Sequence, residues 1–292
     1  MKRFIIAIAI FMITLCTGCT YQQQPAQLVA TTLPVYDFTE FLCRGTEIHV
    51  QQLINDPVSC LHDYTLTVSQ MRAVENAEHI IISGGGLEDF LEDVLTSKDR
   101  VIDASAGIEL HCSTDEHDHA IGNSHHHDTD PHIWLSPTLA MQMAANISSS
   151  LCAAYPQHSE LIQSNLTLLT QELTALSDYG QAALSDLTCR ELVTFHDGFS
   201  YLAEEFNLTI LHSVEEDEGS EASAKDLIHI CEIVTGHNLP TIFTEKNGST
   251  AAASVIQNET GTRVFALDMA MSSDSYFDAM RHNIDTLKEA LG

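Results

Sequence analysis

Short apolar runs alternate with amphipathic segments along residues 28–104. Apolar runs of about four to eight residues are typical of buried strands, whereas apolar residues spaced by three and four positions indicate helices. The pattern predicts strands at 28–32, 49–54, 79–83 and 101–104, and helices at 35–43, 67–77 and 87–95. Because strands alternate with helices, we expect a mostly parallel sheet that is covered on both faces.

A long helical pattern follows this first half. Ser136 as N-cap and Pro137 at the first helical position predict a helix that runs to Tyr155. From 158 to about 187 the apolar residues keep helical spacing, and at ~1.5 Å per residue such a helix spans ~45 Å. It is either a bridge between two lobes or a helix on the surface of one domain. A second alternation of strands and helices follows this pattern, which favours the bridge. It predicts strands at 191–195, 208–211, 241–243 and 264–267, and helices at 198–206, 224–235, 249–257 and 275–291.

These elements predict an α/β protein with two lobes, each a mostly parallel sheet flanked by helices, joined by one long rigid helix. A length of 292 residues agrees with about two domains. The predicted divisions are a signal peptide at 1–18, a tether at 19–27, an N-terminal lobe at 28–135 with a mobile His-rich loop at 106–130, helices that include the bridge at 136–187, and a C-terminal lobe at 188–292.

The N-terminus is typical of an export signal. Lys2 and Arg3 precede an apolar run at 4–15 that is too short for a transmembrane helix. The next residues, Thr17-Gly18-Cys19, resemble a bacterial lipobox, although Cys16 stands where leucine is usual. We expect a protein of the periplasm or of the outer face of the cytoplasmic membrane, lipid-anchored at Cys19. Simple signal cleavage and a retained anchor are the alternatives.

Acidic residues dominate the charge of the chain. It has 12 Lys+Arg against 41 Asp+Glu, which gives a formal net charge of −29. Such a field repels nucleic acid and anionic lipid headgroups, and it raises the local concentration of cations. We therefore expect no nucleic-acid partner.

Six of the eight cysteines follow the lipobox. Their spacing does not match a structural zinc knuckle, so we expect no thiolate ligand to a metal. Disulfides are allowed in an exported protein. We expect Cys43 to pair with Cys60 and Cys189 to pair with Cys231; buried free thiols are the alternative.

Histidines and carboxylates crowd the segment 111–132, which reads HCSTDEHDHAIGNSHHHDTDPH and ends just before Trp134, the only tryptophan. Side chains of these types cannot form a core, but they can hold divalent cations. We expect a mobile loop that collects metal ions and ends at a fixed ligand, His132. A metal sensor and a solubilising insertion are alternative roles for this loop.

Three histidines and one aspartate lie near the ends of predicted strands or of the His-rich loop: His62, His132, His196 and Asp268. Ligand sites in open α/β sheets lie at the carboxyl ends of strands, so these groups can converge on one crevice between the lobes. A single histidine in such a place is more often a solvated or hydrogen-bonded loop residue. Four suitable groups at equivalent places favour a metal site, with Glu245 as the reserve carboxylate.

Several short motifs are shared with one protein family. The most specific is Asp130-Pro131-His132-Ile133-Trp134-Leu135-Ser136-Pro137. Others follow in the family's order at 31–35, 61–64, 86–88, 195–199, 221–224 and 267–268. On these motifs the chain resembles the solute-binding proteins of zinc and manganese ABC importers, although Leu61 and Ala222 replace prolines that are usual there. The resemblance implies two lobes with the metal bound between them by His62, His132, His196 and the acidic residue Asp268.

Ligand type favours one metal. Three imidazoles and one carboxylate suit tetrahedral Zn²⁺, whereas Mn²⁺ prefers more oxygen donors. The resemblance implies a monomeric, non-enzymatic component of an ABC importer that delivers Zn²⁺ to a membrane permease. A manganese-specific member of the same family is the nearest alternative. A zinc-dependent hydrolase and an extracellular zinc-buffering adhesin are further alternatives, but four protein ligands would leave no open position for a catalytic water.

Overall fold

Two four-stranded sheets form the framework of the chain. The computed structural model describes residues 27–55, 61, 64–92, 94–95, 97–111, 129–214, 223–271 and 273–292. The predicted signal peptide, the lipobox with Cys19, His62, Cys60 and most of the His-rich loop lie outside the described residues.

The N-terminal sheet is parallel throughout, with strand order β2-β1-β3-β4. Its strands are β1 (Leu28–Ala30), β2 (Val50–Gln52), β3 (His79–Ile82) and β4 (Val101–Asp103). All three residues of β1 are buried, because this central strand is covered on both faces.

The C-terminal sheet repeats this plan with strand order β6-β5-β7-β8, again all parallel. Its strands are β5 (Glu191–Thr194), β6 (Thr209–Ser213), β7 (Thr241–Glu245) and β8 (Arg263–Leu267). Two parallel sheets with flanking helices confirm the predicted α/β class.

Eight α-helices cover the sheets in the described ranges. They are α1 (Leu33–Leu42), α2 (Val68–Asn76), α3 (Pro137–Ala154), α4 (Ser159–Ala183), α5 (Ser200–Glu205), α6 (Ala224–His237), α7 (Ala251–Thr260) and α8 (Tyr276–Leu291). The predicted cap of α3 is present, since the Ser136 hydroxyl accepts a hydrogen bond from the Leu139 amide at 3.1 Å. None of these helices combines the length and the apolar content that crossing a bilayer requires.

Helix α4 contacts both lobes. The Asn165 side chain donates hydrogen bonds to the carbonyls of Leu42 and Arg44 in the N-terminal lobe, at 3.0 and 2.9 Å. The Ser177 hydroxyl donates to Glu205 of α5, in the C-terminal lobe, at 2.7 Å. The helix has 25 residues, fewer than the roughly thirty predicted, because it ends at Ala183 and the backbone turns after it.

Two further predictions are corrected. The predicted helix at 87–95 is only a 3-10 turn, Asp89–Leu91, which follows three glycines with positive φ. Cys189 and Cys231 are free thiols, so their predicted disulfide is wrong; the former precedes β5 and the latter lies inside α6. Cys43 is also a buried free thiol, whereas its predicted partner Cys60 lies outside the described residues.

The main core runs through both lobes, and Trp134 lies fully buried within it. The Trp134 indole donates a hydrogen bond to the Met269 carbonyl at 2.8 Å, and the Tyr276 hydroxyl donates to the Trp134 carbonyl at 2.8 Å. These bonds join the segment that carries His132 to the C-terminal lobe.

Candidate metal centre

His132 lies at the start of a 3-10 turn, Ile133–Leu135, and only 5% of it is exposed. Its Nδ1 is 2.8 Å from Asp130 Oδ1, and the same oxygen accepts the His132 backbone N–H at 2.9 Å. The His132 and Trp134 rings pack edge to face, with 5.3 Å between ring centroids. The ring is therefore held on two sides, and Nδ1 is the donor toward Asp130.

Asp130 is itself fixed by the C-terminal lobe. The Ser200 hydroxyl donates to Asp130 Oδ2, and the Tyr201 hydroxyl donates to the Asp130 carbonyl at 2.9 Å. Burial acts to raise the pKa of Asp130, but hydrogen bonds from His132 and Ser200 outweigh it, so the pKa lies below its usual 3.8. Asp130 is therefore an ionised carboxylate that can accept a hydrogen bond from the His132 Nδ1–H.

His196 follows the end of β5 by two residues and is partly buried. Its Nδ1 lies 3.0 Å from Oε1 of Glu245, the last residue of β7. That oxygen is buried and has no hydrogen bond of good geometry among the described residues, so Glu245 acts on the His196 ring mainly through its negative charge. Burial acts to lower the pKa of His196, but Glu245 and Asp130 outweigh it, so the pKa lies above its usual 6.5.

The two histidines meet between the lobes. His132 Nε2 and His196 Nε2 are 3.4 Å apart, and the rings are nearly perpendicular, at 85°. Because each Nδ1 faces a carboxylate, both Nε2 atoms carry lone pairs that point toward one region. Two nitrogens bound to one tetrahedral Zn²⁺ at ~2.0–2.1 Å would lie ~3.3–3.4 Å apart. The pair thus has the spacing that such an ion requires.

Gly198 permits this close approach. A Cβ at this position would lie 2.6 Å from His196 Cδ2 and 2.9 Å from His132 Nδ1. It would also lie 2.5 Å from the Met269 side chain. Each of these distances is shorter than a van der Waals contact, so a side chain here would displace one of the rings.

Asp268, directly after β8, is only 1% exposed and is already paired. Its Oδ2 accepts from Lys246 Nζ at 2.8 Å and from the Ser273 hydroxyl at 2.5 Å, and its Oδ1 accepts from the Ala270 amide at 2.8 Å. In the described residues these are the partners of its carboxylate, and neither histidine is among them.

Of the four predicted ligands, the structure brings His132 and His196 together. His62 lies outside the described residues, and in the rest of the chain no three His, Cys, Asp or Glu side chains form a metal-binding group. Sequence reasoning missed the roles of Asp130, Gly198 and Lys246. An aspartate two residues before a histidine is a usable signal, since Asp often bonds to the backbone two residues on.

The stem of the His-rich loop packs on the C-terminal lobe. The His111 ring stacks on Tyr201, with 4.2 Å between centroids, and its Nε2 is 2.9 Å from Glu204 Oε2. The Asp130 amide donates to the His111 carbonyl at 2.9 Å. His111 and Asp130, both within the loop predicted as mobile at 106–130, therefore make defined contacts, whereas residues 112–128 lie outside the described ones.

Known proteins resemble the chain over most of its length. Zinc-binding lipoprotein AdcA of Streptococcus pneumoniae serotype 4 is 27% identical over 308 aligned residues, covering 99% of this chain. The chain spans 61% of the length of that relative. A putative metal-binding protein of Treponema pallidum is 30% identical over 84% of this chain and 81% of its own length.

Solved structures agree with these relatives. A crystal structure of ZnuA matches with a TM-score of 0.77 and 26% identity, covering 91% of this chain and 100% of that one. Zn(II)-bound AdcA from Streptococcus pneumoniae matches with a TM-score of 0.75 and 26% identity, covering 90% of this chain and 57% of that one. The family model described as zinc-uptake complex component A, periplasmic, matches residues 28–290. The chain therefore belongs to the ZnuA family of periplasmic zinc-uptake components.

Proposed function

We propose that the chain is the extracytoplasmic solute-binding component of an ABC importer, which binds Zn²⁺ between its lobes and delivers it to a membrane permease. The observation that carries this proposal is the pair of facing Nε2 atoms, 3.4 Å apart, of His132 and His196. Two lone pairs at this distance repel each other unless a cation or a proton lies beside them. Family membership and relatives named for zinc binding support the same reading.

The proposed ligands are His132 and His196 through Nε2, with His62 as the third and Asp268 or water as the fourth. Glu245 faces Nδ1, the opposite edge of the His196 ring, so it orients that ring instead of binding the same ion. Asp130 does the same for His132. Carboxylates behind metal-binding histidines fix the tautomer and increase the basicity of the ligand nitrogen.

Imidazole ligands favour Zn²⁺ over Mn²⁺ as cargo, because Mn²⁺ prefers oxygen donors. Three histidines with Asp268 as the fourth ligand would close the coordination sphere, which argues for binding and release and against hydrolysis. We also propose export, a lipid anchor at Cys19 and a monomeric state. The anchor would keep the chain near the permease that receives the ion.

Zinc titration of the purified chain tests this function. We expect one tight site per chain, measured by competition with a chromophoric chelator, and Zn²⁺ should displace Mn²⁺. His132→Ala and His196→Ala should each weaken that site by at least about 100-fold, since each removes a direct ligand. His62→Ala should do the same.

The matched control is His237→Ala. His237 is an exposed histidine whose Nδ1 lies 3.0 Å from Glu191, away from the proposed ligands, so its removal should leave zinc affinity unchanged. Retention of the tight site in all three ligand variants would refute the proposed function.

A further inference from the structure

Lys246, Asp268 and Ser273 form a closed cluster beside the candidate metal centre. Lys246 Nζ donates to Asp268 Oδ2 at 2.8 Å and to Ser273 Oγ at 3.0 Å. Ser273 Oγ in turn donates to the same Oδ2 at 2.5 Å. One carboxylate oxygen therefore receives two donors, one of them a full positive charge.

The two charged partners differ in burial. The Asp268 side chain is 2% exposed, whereas the Lys246 side chain is 41% exposed. A buried carboxylate needs a compensating charge, because burying it unpaired is costly. The lysine has a flexible stem and access to water, so its ammonium can leave without becoming buried elsewhere.

Two chain neighbours link the cluster to the histidine pair. Lys246 directly follows Glu245, which contacts His196. Asp268 directly precedes Met269, whose side chain approaches Gly198 together with both histidines. The backbone of Asp268 is held by Asn283, which accepts from its amide and donates to its carbonyl, both at 2.7 Å. Asp268 is therefore a fixed carboxylate with a removable counter-ion, and both residues are next in sequence to residues that approach the histidine pair.

We propose that Lys246 is an internal counter-ion that competes with zinc for Asp268. This inference rests on the proposed function. With no ion in the cleft, the ammonium compensates the buried carboxylate. When zinc engages Asp268, the ammonium moves into solvent. The competition lowers zinc affinity, and return of Lys246 to Asp268 favours release of the ion.

Charge removal at position 246 tests this competition. Lys246→Met should bind zinc at least tenfold more tightly than the parent chain in chelator competition, because the carboxylate is left without its cation. Lys225→Met removes an exposed lysine from α6 and should leave zinc affinity unchanged. Lys246→Arg keeps the charge and should stay within a few-fold of the parent.

A double-mutant cycle separates competition from a general field effect. In an Asp268→Asn background, Lys246→Met should no longer change zinc affinity, because the contested carboxylate is absent. An equal gain with and without Asp268 would overturn the proposal, as would an affinity that is unchanged or reduced in Lys246→Met.

Thermal unfolding without metal gives a second readout. Lys246→Met should lower the melting temperature of the metal-free chain, and saturating zinc should raise it by more than in the parent. If Lys246→Met does not fold, Ser273→Ala takes its place. This change removes the hydroxyl that bonds to both Lys246 and Asp268, so it weakens the binding of Lys246 to Asp268. Unchanged zinc affinity in Ser273→Ala would also overturn the proposal. Absence of zinc binding in the parent would instead refute the proposed function.

Discussion

At the residue scale, buried carboxylates set the state of the groups around them. Asp130 and Glu245 each face the Nδ1 of one histidine and so leave its Nε2 available. Glu88 shows a different case, a buried carboxylate whose hydrogen bonds come from hydroxyl and amide groups. It accepts hydrogen bonds from the Thr31 hydroxyl and the Ser83 amide, both at 2.7 Å. Burial still raises the pKa of Glu88 to about 7, because these bonds only partly offset the lost hydration.

Glu88 should make stability depend on pH. Its folded pKa lies above the usual 4.5, so its contribution is fully present below pH 4.5 and is lost as the pH rises through about 7. The loss should be about 3 kcal/mol, at about 1.4 kcal/mol per pKa unit. Glu88→Gln should flatten this slope in urea unfolding between about pH 5 and pH 8. Glu75→Gln, at an exposed position of α2, should keep it; equal slopes in both variants would contradict the assignment.

At the element scale, helix α4 owes its close packing to one glycine. A Cβ at Gly180 would lie 2.2 Å from Phe206 Cε1, 2.5 Å from its Cζ and 3.2 Å from Ile284 Cδ1. Glycine is unfavourable inside a helix by about 1 kcal/mol relative to alanine, so local propensity alone argues against it here. Packing of the C-terminal lobe against α4 outweighs that propensity.

Gly180→Ala should therefore destabilise the chain by about 1–3 kcal/mol in urea unfolding, because overpacking exceeds the gain in helix propensity. Gly236→Ala is the matched control: it is also a helical glycine, in α6, but a Cβ there meets nothing within 4 Å. That change should stabilise by up to about 1 kcal/mol. The same sign for both substitutions would contradict the packing argument.

At the scale of the whole molecule, Asp130 connects the lobes at the candidate metal centre. Its Oδ1 holds His132, and its Oδ2 and backbone carbonyl accept from Ser200 and Tyr201 of the C-terminal lobe. His132 is thus oriented by the lobe opposite to its own. The orientation of one histidine and the relative position of the lobes should therefore change together.

Asp130→Asn should weaken zinc binding by about 10- to 100-fold, the usual cost of losing a carboxylate behind a metal-binding histidine. The cause is loss of charge and of the correct acceptor at His132 Nδ1. Circular dichroism should show that the fold is retained. Asp226→Asn changes a capping carboxylate at the start of α6 and should leave zinc affinity unaffected. Equal zinc affinities in the two variants would show that Asp130 has no orienting role.

Local signals predicted the elements of the fold. Apolar runs, helical spacing and the caps at Thr67 and Ser136 act over a few residues, and the strands and most helices agree with them. The exceptions are the 3-10 turn at Asp89–Leu91, which follows three glycines with positive φ, and the free thiols of Cys189 and Cys231, whose distance from each other is set by the tertiary structure.

The sequence by itself determined the α/β plan and the choice of histidines at element ends, because these follow from periodicity and side-chain chemistry. Only the tertiary structure decided that His132 and His196, 64 positions apart, face each other through Nε2. It likewise decided that Asp268 is held by Lys246, 22 positions away. Such pairings depend on how two sheets and a long helix pack together, and no local pattern along the chain encodes that packing.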